Sequence, residues 1–526
     1  MLVEAIQRER AAFAQAPLLA FGEAVGSAEA MDWARQANRC PPTLHAYGAT
    51  GVRIDQVEYH PAYHRLMELS IRYGLHAMPW REPRPGAHVA RAALLLLASE
   101  NDFGHCCPIS MTYASVPSLR KQPELAAEWE PRVCSLDYDP RFLPPDAKRG
   151  VTIGMAMTEK QGGSDVRANT TYAVPIQNRG PAQPYLLTGH KWFCSAPMSD
   201  AFLVLAQAPG GLSCFLVPRF QPDRSQNPFR IQRLKDKLGN RSNASSEVEF
   251  DGTFGRLIGQ EGRGVSVIID MVNHTRLDSA LGSTALMRRA LVHAIHHARH
   301  RRAFGKALLE QPLMQNVLAD LALESEAATV LVMRVARAYD DTDATPDGGQ
   351  EARFRRIATA IAKYWLCKRA PFAVYESLEC LGGNGYVEDL PLSRLYREAP
   401  INSIWEGSGN VICLDVLRAV TREPGALDAY LAEVEDAAHA EPRLLRYVAA
   451  LRRELAVAPP DAFSARRLSE RLALALQAAL LVRDAPASVA GPFCTTRLEG
   501  DRGHAFGTLP QGIDAAAIID RAFAPL

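Results

Sequence analysis

The sequence predicts a mostly helical α+β protein: a helical N-terminal domain, a middle antiparallel β-domain, a C-terminal four-helix bundle and a helical extension. Three observations predict it. Apolar residues recur at helical spacing on both sides of residues 150–262. Between them the pattern changes to short β-prone runs separated by turns. The chain is 47% hydrophobic and 22% charged, the balance of an ordinary globular protein. The expected segments are 1–149, 150–262, 263–425 and 426–526 in a chain of 526 residues.

In the first segment Met1–Arg10 reads as a polar amphipathic helix. Pro41, Pro42, Pro79, Pro83 and Pro85 mark connections, and Ala62–Ile71 carries apolar residues at helical spacing. His60 and His64 are four apart, but Pro61 intervenes and no third ligand follows, so no metal is expected there. In the second, Gly150–Gly154, Thr170–Val174, Tyr185–Cys194, Ala201–Ala206, Gly211–Pro218 and Ser246–Phe250 read as strands of a small antiparallel barrel or sandwich. The third returns to the helical period over 264–300, 314–340, 353–380 and 409–422, with Asp341–Gln350 as a polar loop. His293, His296, His297 and His300 share one helix face. Without identifiable inward carboxylates on neighbouring helices, they read as a polar or subunit-facing stripe, not a metal site. The fourth segment reads as Ala- and Arg-rich helix, then an irregular tail holding Gly500–His504.

Charge and cysteine usage exclude several classes. A net charge of +1 gives no overall attraction to nucleic acid or membrane, so any such contact must be local. The ten cysteines are scattered without a Cys-x-x-Cys, which suits buried thiols in a cytoplasmic protein. Ala92–Ser99 is too short to span a bilayer, and Met1–Arg10 lacks the apolar core of a signal peptide. No Gly-x-Gly-x-x-Gly follows a strand, which argues against a nicotinamide Rossmann enzyme.

Four stretches carry chemistry. Met155–Val166 brings hydroxyls and the pair Gly162-Gly163 into a turn, where backbone N–H groups can meet a flat ligand or a phosphate. It could equally be a capped β-turn. Ile401–Asn410 sets Glu406 between apolar residues and a small-residue run before a helix. Apolar walls raise a carboxylate toward the pKa of a general base, although an acid at a helix start also has a favourable dipole. Arg301–Gly305 lies at a helix end, with Gln315 beyond it. Glu379–Tyr386 holds glycines that either cap a helix or expose backbone to a pyrophosphate.

In this order the four stretches resemble the acyl-CoA dehydrogenase flavoproteins. Met157–Asp165, Gly189–Phe193 and Ala399–Asn410 are similar to the alkylation-response, AidB-like branch, as are His60–His64 and Cys107–Thr112. Lys160-Gln161 stands where ordinary members have a proline-containing loop. The resemblance spans nearly the whole chain, extension included. It implies FAD as cofactor, held by Met155, Thr158 and Ser164 from the β-domain, with Phe193 over the ring and Ser195 near its reactive nitrogen. It places Arg301, Phe304, Gln315, Gly382 and Gly383 against the adenosine-diphosphate half, often across a subunit boundary. It has Trp405, Gly407 and Asn410 complete the pocket, and Glu406 in the catalytic-base position. Arg276 matches a position near the acyl-CoA channel. The branch also implies a homotetramer and double-stranded DNA as a partner, with protection or repair of DNA after alkylation as the expected function beside a weak acyl-CoA dehydrogenase activity; the alternative is a metabolic short- or branched-chain acyl-CoA dehydrogenase with no role at DNA.

The extension carries eleven arginines and no lysine against thirteen acidic residues, so it is not basic overall. Within 443–471, seven arginines face three acidic residues. Because the branch resemblance implies DNA contact by segment 426–526, Arg443, Arg446, Arg452 and Arg453 are the DNA candidates there, and the resemblance adds Arg418 on the preceding helix. Salt-bridged or solvated faces are the alternative.

Overall fold

The computed structural model describes residues 1–340, 349–457 and 460–523. Residues 341–348 of the expected polar loop lie outside these, and Gly349 already begins a helix. The chain forms two compact units. One comprises Ala16–Arg84 and Leu97–Asp278, the other Met1–Gln15, Pro85–Leu96 and Ser279–Leu526.

The first unit joins helices to a β-barrel. Helix Pro61–Arg72 starts on a proline, whose missing N–H costs nothing there. The His60 ring accepts from the Ala62 N–H at 3.2 Å, and His64 Nδ1 lies 2.8 Å from the Tyr138 hydroxyl, so capping and packing account for both. One hairpin departs from the helical expectation for this part: Thr43–Tyr47 pairs with Arg53–Glu58. Its burial alternates without a strong apolar face, which hides it from a periodicity reading. It is held by buried Asp55, which accepts from the Ile231 N–H at 2.9 Å, while Arg53 donates to the Ile231 carbonyl at 3.0 Å.

The seven barrel strands are Ile153–Ala156, Tyr172–Pro175, Pro184–Ser195, Ala201–Ala208, Gly211–Pro218, Phe229–Leu234 and Ser245–Ile258. Ala201–Ala208 pairs with Gly211–Pro218, that strand with Ser245–Ile258, and that with Pro184–Ser195. Tyr172–Pro175 joins Pro184–Ser195 and reaches back to Ala201–Ala208 through Tyr172 and Gln207, closing the ring. The antiparallel expectation needs correction at two places. Ile153–Ala156 and Tyr172 both run parallel to Ala201–Ala208. No tight turn links either to that strand, so nothing local imposes an antiparallel sense. Strand Phe229–Leu234 was also not anticipated; it pairs with Ser245–Ile258. Phe202, Phe229 and Phe250 stack in sequence inside, with ring centroids 4.8 and 5.7 Å apart.

Helix Gly264–His300 contains the boundary between the units, and its ends match the expected ones. In the second unit Pro312–Asp340 and Gly349–Glu379 are buried on nearly all sides over their middles, as central helices must be. Gly409–Arg422, Ala426–Ala438 and Ala465–Asp484 pack beside them, and Pro442–Val457 packs on the last two. Buried Arg334 joins this set by donating to Glu351 at 2.9 Å and to Glu433 at 2.7 Å. Residues of the extension therefore share a core with the preceding helices. The tail ends in an unforeseen helix, Ala515–Ala522, capped by Asp514, which accepts from Ala517 N at 3.0 Å. All ten cysteines are unpaired, and only Cys40 is exposed. Among the described residues no helix is long and apolar enough to cross a membrane.

Candidate functional site

The glycine loop is built on a buried ion pair. Glu159 and Lys191 have no exposed side-chain surface and meet at 2.8 Å. Lys191 also donates to the Leu205 carbonyl at 2.8 Å. Glu159 accepts from the backbone N–H groups of Thr170 at 2.7 Å and Thr171 at 3.2 Å. Burial pushes the Glu159 carboxyl up, but the Lys191 ammonium and these hydrogen bonds outweigh it and hold the pKa down at about 2. The pair thus ties both ends of the loop to the strand bearing Phe193 and Ser195.

That strand meets the loop where the Trp192 N–H donates to the Thr158 carbonyl at 2.8 Å. Met155 is buried at the strand end, Thr158 is half-buried and Ser164 is exposed. Gly163 lies so near Thr158 that a Cβ there would come 2.4 Å from its hydroxyl oxygen. Gly162 has a φ of +124° and open space above it. Phe193 is 53% exposed, and the Lys235 ammonium stands 4.6 Å from its ring centroid. The Ser195 hydroxyl lies 3.4 Å from that of Ser245. These five residues are gathered on one loop and the adjoining strand. In the same unit Arg276 is buried in its helix and donates to Asn273 at 3.4 Å.

In the other unit the Glu406 turn is held from beneath. Glu406 has a φ of +56° and Gly407 a φ of +103°, the left-handed region that a glutamate rarely adopts. Buried Lys363 donates to the Trp405 carbonyl at 2.9 Å and to the Gly407 carbonyl, gripping the chain on both sides of Glu406. Sequence reasoning missed it. The available signal was one lysine in the apolar helical run Ala360–Leu366, since a lysine there must find acceptors. Trp405 Nε1 donates to Asn402 at 2.9 Å, and the buried Asn402 Nδ2 has no hydrogen-bond partner among the described residues. Asn410 accepts from Arg466 of the extension at 2.8 Å.

Lys363→Met should leave these carbonyls unsatisfied and let Glu406 relax. The expected result is a loss of about 10²-fold in any activity requiring that carboxylate, measured in steady state against an unchanged Arg276 environment.

Arg301, Phe304 and Gln315 are brought together by a small hairpin. Arg302–Ala303 pairs with Lys306–Ala307, and Phe304 and Gly305 both have positive φ, the requirement of its two-residue turn. Gln311 donates to the Ala303 carbonyl at 3.3 Å, fastening the hairpin to the start of the helix that carries Gln315. Phe304 is 97% exposed. Gly382 and Gly383 form a separate turn after helix Gly349–Glu379; a Cβ at either would meet nothing within 4 Å.

On the histidine helix, burial and neighbouring positive charge push His293 down to about 4. Among the described residues no cluster of three His, Cys, Asp or Glu could hold a metal ion. Most arginines of the extension are engaged. Arg443 pairs with Glu441 at 2.8 Å, Arg446 with Glu499 at 2.7 Å, and Arg452 with Glu435. Arg467 and Arg471 share Glu454. Arg418 and Arg453 are exposed and have no ion pair among the described residues.

Comparison with known proteins follows this geometry. Residues 1–140 match the family described as adaptive response protein AidB N-terminal domain. Residues 154–253 match the acyl-CoA dehydrogenase middle domain and 262–421 the acyl-CoA dehydrogenase C-terminal domain. Over 430 residues the chain is 50% identical to the putative acyl-CoA dehydrogenase AidB of Escherichia coli, covering 81% of this chain and 78% of that protein. The solved structure of Caenorhabditis elegans ACDH-11 in complex with C11-CoA superposes with a TM-score of 0.86 at 28% identity, covering 95% of this chain and 90% of that one. An acyl-CoA dehydrogenase from Bacillus anthracis, complexed with FAD, shares the fold with a TM-score of 0.71 at 17% identity, covering 93% and 86%. The chain therefore belongs to the acyl-CoA dehydrogenase family, as an oxidoreductase of that type carrying an AidB-type N-terminal domain.

Proposed function

We propose that the protein binds FAD and oxidises a short or branched acyl-CoA thioester between its α- and β-carbons, with Glu406 as the base. The observation that carries this reading is the strained Glu406 turn gripped by Lys363. A glutamate is held in an uncommon backbone conformation by a buried cation that grips the carbonyls on either side of it, as expected where position matters more than local comfort. Bound FAD would supply the two-electron acceptor that the reaction needs. Glu406 takes the α-proton, which lets the β-hydrogen leave with its electron pair as a hydride; bound FAD would be the acceptor.

The residues fit such a cofactor. Gly162, Gly305, Gly382 and Gly383 have open space beside their backbones, and the orphaned Asn402 amide can donate to a ligand oxygen. From the β-domain we assign Met155, Thr158, Ser164, Phe193 and Ser195 to FAD. From the helical part we assign Arg301, Phe304, Gln315, Gly382, Gly383, Trp405, Gly407 and Asn410. Arg276 is assigned to the thioester ligand, of the class that the C. elegans structure contains. The exposed Phe304 and Tyr386 support association of copies, and a tetramer is our reading. The divisions 1–149, 150–262, 263–425 and 426–526 remain our proposed domains. A colourless protein that cannot be reconstituted with FAD, or a yellow one that no acyl-CoA bleaches, would overturn this function.

A second reading joins double-stranded DNA to the same chain, as a sequence-tolerant partner in protection or repair after alkylation. It is supported by the exposed, unpaired Arg418 and Arg453; Arg443, Arg446 and Arg452 would exchange carboxylate for phosphate. Retention on duplex DNA should fall steeply between about 50 and about 200 mM salt. Replacing both Arg418 and Arg453 by alanine should lower the log–log salt slope by about 2. Salt-independent retention counts against the reading.

A further inference from the structure

One stretch of the irregular tail contacts Asn316, Val317 and Asp320 near the start of helix Pro312–Asp340. The Asn316 side chain satisfies both backbone groups of Leu509: Nδ2 donates to its carbonyl at 3.0 Å, and Oδ1 accepts from its N–H at 2.9 Å. Gly507, with a φ of +78°, lies against Val317 so closely that a Cβ would come 2.5 Å from Cγ2. Its N–H donates to Asp320 Oδ2 at 3.0 Å. The other Asp320 oxygen accepts from Arg497, which also lies 3.5 Å from Glu324. Glu324 in turn accepts from Arg369 at 3.0 and 3.1 Å, and Phe506 of the tail covers the Arg369 guanidinium at 4.8 Å.

Asp320, Glu324 and Arg497 are all buried. Charges so desolvated are weak evidence for stability, but a pairing with several exact partners fixes one register over its neighbours. The first turn of a helix has few bonds of its own to keep it from fraying. This first turn carries Gln315 next to Asn316, and Gln311 just before it fastens the Phe304 hairpin.

We propose that residues 497–509 form a strap that retains the adenylate half of the cofactor. By clamping Asn316, Val317 and Asp320, the tail fixes Gln315 and the Phe304 hairpin in the arrangement that binds it. The inference rests on the FAD reading above and adds a role for the tail and for Asn316 as a positioning residue.

The test uses the full chain, stripped of flavin and titrated separately with FAD and with FMN, which lacks the adenylate half. Quenching of flavin fluorescence reports each affinity. Asn316→Ala should weaken FAD by about tenfold while leaving the FMN affinity as in the wild type. Asn316→Asp, which still accepts from Leu509, should fall between. Leu445→Ala, on an exposed face of the extension, should change neither. Equal FAD affinity in wild type and Asn316→Ala, with FAD preferred in both, overturns the strap alone. Parallel loss of FAD and FMN reduces Asn316 to general scaffolding and also overturns it. A wild type that binds neither flavin overturns the cofactor reading and the strap with it.

Discussion

Glu406→Gln should abolish acyl-CoA-dependent bleaching of the flavin, by about 10²–10⁴-fold or more, while the protein stays yellow. The amide keeps the length and the planar head of the side chain but cannot accept an α-proton. Its backbone should stay where Lys363 holds it, because Lys363 donates to the carbonyls of Trp405 and Gly407 on either side of it. Flavin content measured by absorbance therefore separates lost chemistry from lost binding. Bleaching of Glu406→Gln at the wild-type rate would remove Glu406 from the reaction and leave the fold assignment intact.

Lys191→Met should be the most damaging substitution for stability, at about 3–5 kcal/mol, because it strands the buried Glu159 carboxylate. The loop Met155–Val166 should loosen with it, so flavin loss should accompany the lower thermal midpoint. The acid side of the stability profile follows from the same pair. Glu159 is held near 2 in the folded protein against 4.5 unfolded, so its contribution is full above 4.5 and fades as pH falls toward 2. Thermal melts from pH 7 down to about pH 3 should show that slope, and Glu159→Gln should flatten it.

How much of this was legible beforehand depended on range. Helix Gly264–His300 and helix Gly409–Arg422 were placed to the residue, because periodicity and glycine-rich starts are local signals. Glu406 and the glycine pairs stand out in the sequence for the same reason: each sits in a compact stretch of unusual composition. The supports beneath them were not legible. Lys363 reaches Trp405 across 42 residues and Lys191 reaches Glu159 across 32, and no spacing rule connects such partners. Parallel pairing in the barrel escaped for a related reason, since strand sense without a hairpin is a tertiary outcome. The excess of arginine in 443–471 was correctly counted from the sequence. Its neutralisation by Glu441, Glu499, Glu435 and Glu454 appears only once the helices are packed.

The contact between Arg466 and Asn410 bears on how such chains can be recombined. Four residues beyond Glu406, an asparagine is pinned by a side chain from the extension; a Cβ on the neighbouring Gly409 would crowd Lys368 at 2.9 Å but leave Arg466 at an ordinary 3.7 Å. A graft of the extension onto a shorter relative would need a matching asparagine in the recipient. Excision here would, conversely, leave the segment that bears the acid with a dangling amide, so the two have to be inherited as one cassette.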